Sequence, residues 1–199
     1  MSPQLAIFGL WGAWILSWTV AALWADRPVA RPGVALQAFH SAATVLGFCL
    51  MLGVRTHPHR GPGRLWDVGD PVGWALLGLA AAGLALCWWA RLHLGRLWSG
   101  SVSRKAGHRI VDTGPYALVR HPIYTGLIVA AFATGALRGA VPPLSAGVVL
   151  TVGFFIKARQ EERFLGRELG EADYEAYRRR VPMLVPRIPR RWWKPRGAV

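Results

Sequence analysis

The chain has few acidic residues: 10 Asp and Glu stand against 24 Lys and Arg, giving a formal net charge of +14, and charged residues of both signs fill only 17% of its 199 positions. Soluble domains carry roughly 25% charged residues with the signs mixed. The shortage therefore excludes an ordinary soluble surface, and a hydrophobic content of 53% excludes intrinsic disorder. Cysteine is scarce too. Cys49 and Cys87 both lie inside apolar runs, which excludes a disulfide scaffold. No G-x-G-x-x-G follows a strand-like run, and the length allows one domain, so a separate Rossmann-type cofactor domain is excluded. Zinc-finger, helix-turn-helix and RNA-binding signatures are also absent, which argues against nucleic acid as the partner of the basic charge.

What the chain has is long apolar runs. A membrane core of about 30 Å is crossed by about 20 residues of helix. Leu5 to Ala25, Val34 to Val54 and Val72 to Ala90 meet that length. The first reads as a span and not a cleaved signal peptide, because no positive charge precedes it and the run is too long for an h-region. Ile123 to Ile156 is apolar but interrupted by Arg138, Gly139 and Pro142-Pro143. It reads as two helices, about Ile123 to Leu137 and Ala140 to Ile156, joined by a tight turn from which Arg138 snorkels to the headgroups. The fold expected is all-α: a polytopic membrane protein with five transmembrane helices, the last two a helical hairpin, and a cytoplasmic C-terminal helix. Within this single domain, 1–97 holds three spans, 98–189 the chemistry-bearing loop, hairpin and C-terminal helix, and 190–199 a basic tail. The eleven tryptophans suit a chain with several membrane–water boundaries to mark.

The five-span layout puts twenty of the 24 Lys and Arg on one side. By the positive-inside rule that side is cytoplasmic, with the N-terminus outside. Most of the net charge then records orientation and attraction to anionic lipid. Two cytoplasmic segments hold more chemistry than an anchor requires, and topology alone brings them together, since one enters the hairpin and the other leaves it. In the first, Asp112-Thr113-Gly114-Pro115 is a turn signal and Arg120-His121-Pro122-Ile123-Tyr124 opens the fourth span. Pro122 suits the first helical turn, and the free N–H groups beside Arg120 and His121 would attract an anion. In the second, Lys157, Arg159, Gln160, Glu161, Glu162 and Arg163 leave the fifth span, and Asp173 to Arg180 is amphipathic. Two carboxylates this near an apolar core need a reason. One is an ion-pair cluster with Arg120, Arg159 or Arg163. The other is a glutamate that holds a ligand's ammonium while the opposite segment holds its carboxylate, as for an amino-acid head group.

GHRIVDTGPYALVRHPIYTG (107–126), an apolar hairpin, and then QEERFL and YEAYRRRVPMLVP resemble the isoprenylcysteine carboxyl methyltransferase family. More broadly they resemble the small integral-membrane methyltransferases that include the phospholipid methyltransferases. The resemblance covers about Trp98 to Pro186. It implies S-adenosylmethionine as donor (S-adenosylhomocysteine as product) and a lipophilic or prenylated acceptor entering from the bilayer, most simply for carboxyl O-methylation. It also implies an integral location, expected to be a bacterial inner membrane. Carried over, the donor contacts are His108, Arg109, Ile110, Val111, Tyr116, His121, Pro122, Ile123, Tyr124 and Glu161. Glu161 would take the donor's ammonium, His121 and nearby N–H groups its carboxylate, and Tyr116 or Tyr124 the adenine or sulfonium. His121, Arg120 and Arg159 are the expected catalytic residues, and Lys157, Arg159 and Glu162 the expected acceptor-binding ones, with no metal. The family's acceptor-binding arginine is replaced here by Lys157, which lacks the bidentate fork. The residues leave three rivals open: a phospholipid N-methyltransferase, a sterol-type reductase using NADPH, and a non-catalytic lipid-binding subunit.

Overall fold

The computed structural model describes residues 1–23, 34–53, 65–95, 98 and 110–187. Their regular elements are helical: α1 (Pro3–Ala22), α2 (Val34–Phe48), α3 (Gly69–Leu94), α4 (Pro122–Arg138), α5 (Val141–Leu169) and α6 (Glu171–Arg180). A π-helical turn, Cys49–Gly53, extends α2, and a 3-10 turn, Gly114–Ala117, precedes α4. Three helices are long and apolar enough to cross a membrane, namely α1, α3 and α5, while α4 and Ser41–Gly53 are shorter apolar helices.

Close approach of small residues sets the packing. Gly83 of α3 and Gly126 of α4 face one another so tightly that a Cβ on Gly126 would lie 2.3 Å from the Gly83 carbonyl oxygen and 2.7 Å from Cys87 Sγ. The Cys87 thiol donates to the Ile123 carbonyl at 3.3 Å. Without side chains between them, the two backbones meet directly. On the other side of α4, Gly135 lies against Pro143 and Leu144, and Gly147 of α5 against Phe132. Gly47 and Ala43 of α2 meet Leu150 and Gly153. The small-residue spacings that stand out in the sequence, Gly9 to Ala13 and Gly78 to Ala82, are not used this way, for a Cβ on Gly9 or Gly78 would meet nothing within 4 Å.

Three expectations are corrected. The helix expected over Ala140 to Ile156 runs on to Leu169, because Lys157 to Glu168 holds no proline and its one glycine, Gly166, has ordinary helical backbone; it stops at Gly170, whose φ is 106°. Arg138 does not snorkel. It is buried, donates to the Met51 carbonyl and lies over the Phe8 ring, so burial among α1, α2 and α4 wins over the headgroups. Trp11 and Trp14 mark no boundary, since both are buried in the core. Trp11 donates to Thr134 Oγ1 at 3.0 Å and packs edge-on against Trp14 and Phe48. A further basic residue, Arg91, is wholly buried at the end of α3, where it donates to the Ala21 carbonyl at 2.8 Å and lies over Trp98. It satisfies a helix C-terminus as well as carrying charge.

Candidate functional site

Three elements meet at one end of the α4–α5 pair. Pro122 occupies the first turn of α4 and His121 its N-cap position, but the His121 ring makes no capping bond. It turns instead to α5. Glu162, buried, accepts from Arg120 Nε at 2.7 Å, and His121 Nε2 lies 3.1 Å from the same oxygen, Oε1. Arg178 of α6 lies 3.4 Å from Oε2. The Arg120 guanidinium also donates to the carbonyls of Arg178, at 3.0 Å, and of Val181. One carboxylate thus joins α4, α5 and α6, and of the expected partners Arg120, Arg159 and Arg163 the fold uses Arg120.

One residue earlier, Glu161 faces a different surrounding. Its side chain is 26% exposed, accepts the Tyr124 hydroxyl at 2.8 Å and lies 3.9 Å from His121 Nδ1. The rings of His121, Tyr124 and Phe154 stack nearly parallel, with centroids 5.2 and 4.9 Å apart. The Lys157 ammonium stands 5.3 Å from the Tyr124 ring centroid, a turn before Glu161 on α5. Arg159 falls elsewhere, exposed and over the Phe155 ring at 5.2 Å.

The loop before α4 and the chain after α6 close the remaining side. Tyr116 is buried in the 3-10 turn and its carbonyl accepts the Tyr177 hydroxyl at 2.9 Å. Burial, and then the nearby Glu161 carboxylate, pushes the Tyr116 phenol well above its ordinary range. Ile110 packs with Leu165 against Tyr174, Tyr177 and Val181, and Val111 is half-buried beside it in the chain. His108 and Arg109 lie outside the described residues. Past α6 the chain has no regular secondary structure. Pro182 and Met183 accept the N–H groups of Arg120 and His121 at 2.8 and 3.1 Å, and Leu184 accepts the Thr125 hydroxyl at 2.7 Å. The N–H groups of Arg120 and His121 themselves are therefore already bonded. Sequence reasoning missed Arg178 and the 182–184 segment. YEAYRRRVPMLVP marks the stretch as part of the resemblance, but a backbone acceptor carries no side-chain signal that would name its partner.

Residues 76–167, which span α4, most of α3 and all but the last turn of α5, match the isoprenylcysteine carboxyl methyltransferase (ICMT) family. This stretch of the chain is similar to that family. The matched segment contains both halves of the site, Arg120 to Tyr124 and Lys157 to Glu162, whereas α6 and the 182–184 segment follow it. Among curated relatives, the chain is 36% identical over 116 residues to a Schizosaccharomyces pombe protein-S-isoprenylcysteine O-methyltransferase, covering 57% of this chain and 49% of the relative. It is 42% identical over 78 residues to methanethiol S-methyltransferase 2 of Bradyrhizobium diazoefficiens, covering 37% and 27%. It is 32% identical over 170 residues to a methanethiol S-methyltransferase of a Pseudomonas strain, covering 73% and 59%. The chain spans about half the length of the first of these relatives.

Proposed function

We propose that the protein is a membrane-embedded methyltransferase that uses S-adenosylmethionine to methylate a lipophilic acceptor. The observation that carries this reading is the partly exposed Glu161 carboxylate beside the His121–Tyr124–Phe154 stack, inside the ICMT-family segment. The donor set fits S-adenosylmethionine: Glu161 for its ammonium and aromatic faces for its cationic sulfur, a contact favourable by roughly 0.5 to 2 kcal/mol. When bound, that cofactor supplies an electrophilic methyl group. The chain's own residues hold and orient. Glu161 and Tyr124 fix one end of the donor, Tyr116, Ile110 and Val111 wall it from the loop side, and Lys157 is the cation nearest an acceptor carboxylate. A carboxylate acceptor is already ionised at neutral pH and needs no base. Catalysis is then placement with water excluded. Glu162 and Arg120 support the site through the ion-pair cluster, and Arg159 belongs to the membrane surface.

Carboxyl O-methylation of an isoprenylcysteine-like or other lipid carboxylate is the first acceptor class. A thiol is the second, favoured by the similarity to methanethiol S-methyltransferases. A thiol has to lose a proton, so the two classes separate by pH dependence. The proposed layout is five spans in a bacterial inner membrane, α4 and α5 forming the last two as a hairpin, with the site and α6 cytoplasmic.

Calorimetric titration of the detergent-purified protein with S-adenosylmethionine tests the reading. Binding is expected, weakened about tenfold or more in Glu161→Ala, the cost of one hydrogen bond to a charged group. No binding by the parent protein overturns it. Transfer of labelled methyl to a base-labile ester in lipid extract, or to a volatile thioether, identifies the acceptor class.

A further inference from the structure

Glu162 does more than tie three helices together, because it decides which end of the His121 ring can donate. Its Oε1 accepts the Nε–H of Arg120, a group that is always charged, so the carboxylate in this buried pair is ionised and offers only lone pairs. The proton in the 3.1 Å contact must therefore sit on His121 Nε2. In the neutral ring the other nitrogen, Nδ1, then carries a lone pair and no hydrogen. Nδ1 faces Glu161, whose Oε2 is 3.9 Å away and is itself an acceptor that already takes the Tyr124 hydroxyl. Two acceptors so close, neither able to donate to the other, leave a place for a donor group. A primary ammonium has three N–H groups, and charged hydrogen bonds of about 2.8 Å to both atoms close a triangle over that gap. An anionic group would find no hydrogen there, and the N–H groups of Arg120 and His121 are taken by Pro182 and Met183.

We propose that Glu162 is a positioning residue that holds His121 in the Nε2–H tautomer, so that His121 Nδ1 and Glu161 together receive the ammonium of the bound amino-acid head group. This rests on the methyl-donor reading and changes one part of it. His121 belongs to the ammonium of S-adenosylmethionine and not to its carboxylate, which has to be met by a different residue.

The tautomer is read by nitrogen-15 NMR of histidine-labelled full-length protein in detergent at neutral pH, with His121 assigned by the loss of its signals in His121→Gln. The expected result is a protonated Nε2 and an unprotonated Nδ1 whose resonance moves on adding S-adenosylhomocysteine. An Nδ1–H tautomer or a doubly protonated ring overturns the proposal, whatever the outcome of the binding experiments. Binding supplies the second readout, as the ratio of affinities for S-adenosylhomocysteine and its desamino analogue. Glu162→Gln keeps an oxygen for Arg120 and His121 and should keep both tautomer and ratio. Glu162→Ala should lower the ratio roughly tenfold, and an unchanged ratio overturns the coupling between Glu162 and the ammonium. If Glu162→Ala does not fold, the tautomer in the parent protein and in Glu162→Gln decides. A parent protein that binds no S-adenosylhomocysteine but shows the Nε2–H tautomer defeats the donor reading, and with it the ammonium assignment, and leaves the tautomer assignment standing.

Discussion

Two adjacent glutamates on one helix have opposite fates. Glu162 is enclosed by Arg120, His121 and Arg178, while Glu161 keeps about a quarter of its surface open. Removing one member of a buried pair leaves an uncompensated charge, which costs about 3 to 5 kcal/mol. Arg120→Ala is thus expected to lower stability by about that amount in thermal unfolding in detergent. The double variant Arg120→Leu/Glu162→Leu should recover most of the loss, because apolar replacement of a buried pair is close to neutral, and a double variant as unstable as the single one contradicts this account. Tyr174 and Tyr177 give a pH dependence with a definite sign. Burial raises both phenols above their ordinary value of 10.0. A group whose pKa is raised by folding contributes stability that is complete below its unfolded value and is lost as pH climbs toward the folded one. The α6 contact should therefore hold up to about pH 10 and loosen above it. Absorbance at 295 nm should show these tyrosines ionising only as the contact opens, and ordinary titration near pH 10 with α6 still docked contradicts this.

Among the elements, the α3–α4 crossing decides whether the site exists. The Gly83–Gly126 contact sets the depth of α4, and with it the height at which Arg120, His121 and Tyr124 meet α5. Gly126→Ala should destabilise by about 1 to 3 kcal/mol and weaken S-adenosylmethionine binding although it touches no ligand, because the added methyl meets backbone and sulfur. Gly78→Ala is the control. Open space surrounds it on α3, so the substitution should leave binding unchanged and raise stability by up to about 1 kcal/mol. Equal effects of the two variants on melting temperature and titration would remove the argument. Gly139 has a separate role. With φ of 62° and the Trp66 carbonyl 2.1 Å from where a Cβ would stand, it permits the turn between α4 and α5 that brings their far ends to the site.

For the whole molecule, orientation is the property to test. With Cys49 and Cys87 replaced by alanine, a cysteine at Ser2 should react with a membrane-impermeant maleimide on intact cells, and one at Glu171 only after lysis, since both positions are exposed. The reverse pattern overturns the proposed topology. Composition and charge distribution by themselves determined much of this protein. Apolar runs of spanning length and few charges point to an all-helical membrane chain, because length and hydropathy are properties of local sequence. The motif at Arg120 to Tyr124 and the glutamates at 161 and 162 were legible for the same reason, as unlike their surroundings as residues can be. Tertiary structure alone decided which glutamate is sealed and which is open, since one residue's difference on a helix is 100° of rotation and only the neighbours say which side is core. It also decided that Arg138 turns inward, that Trp11 is core, and that the carbonyls of Pro182 and Met183 occupy the N–H groups just before α4. Each depends on atoms brought together from far apart in the chain, and no local pattern records them.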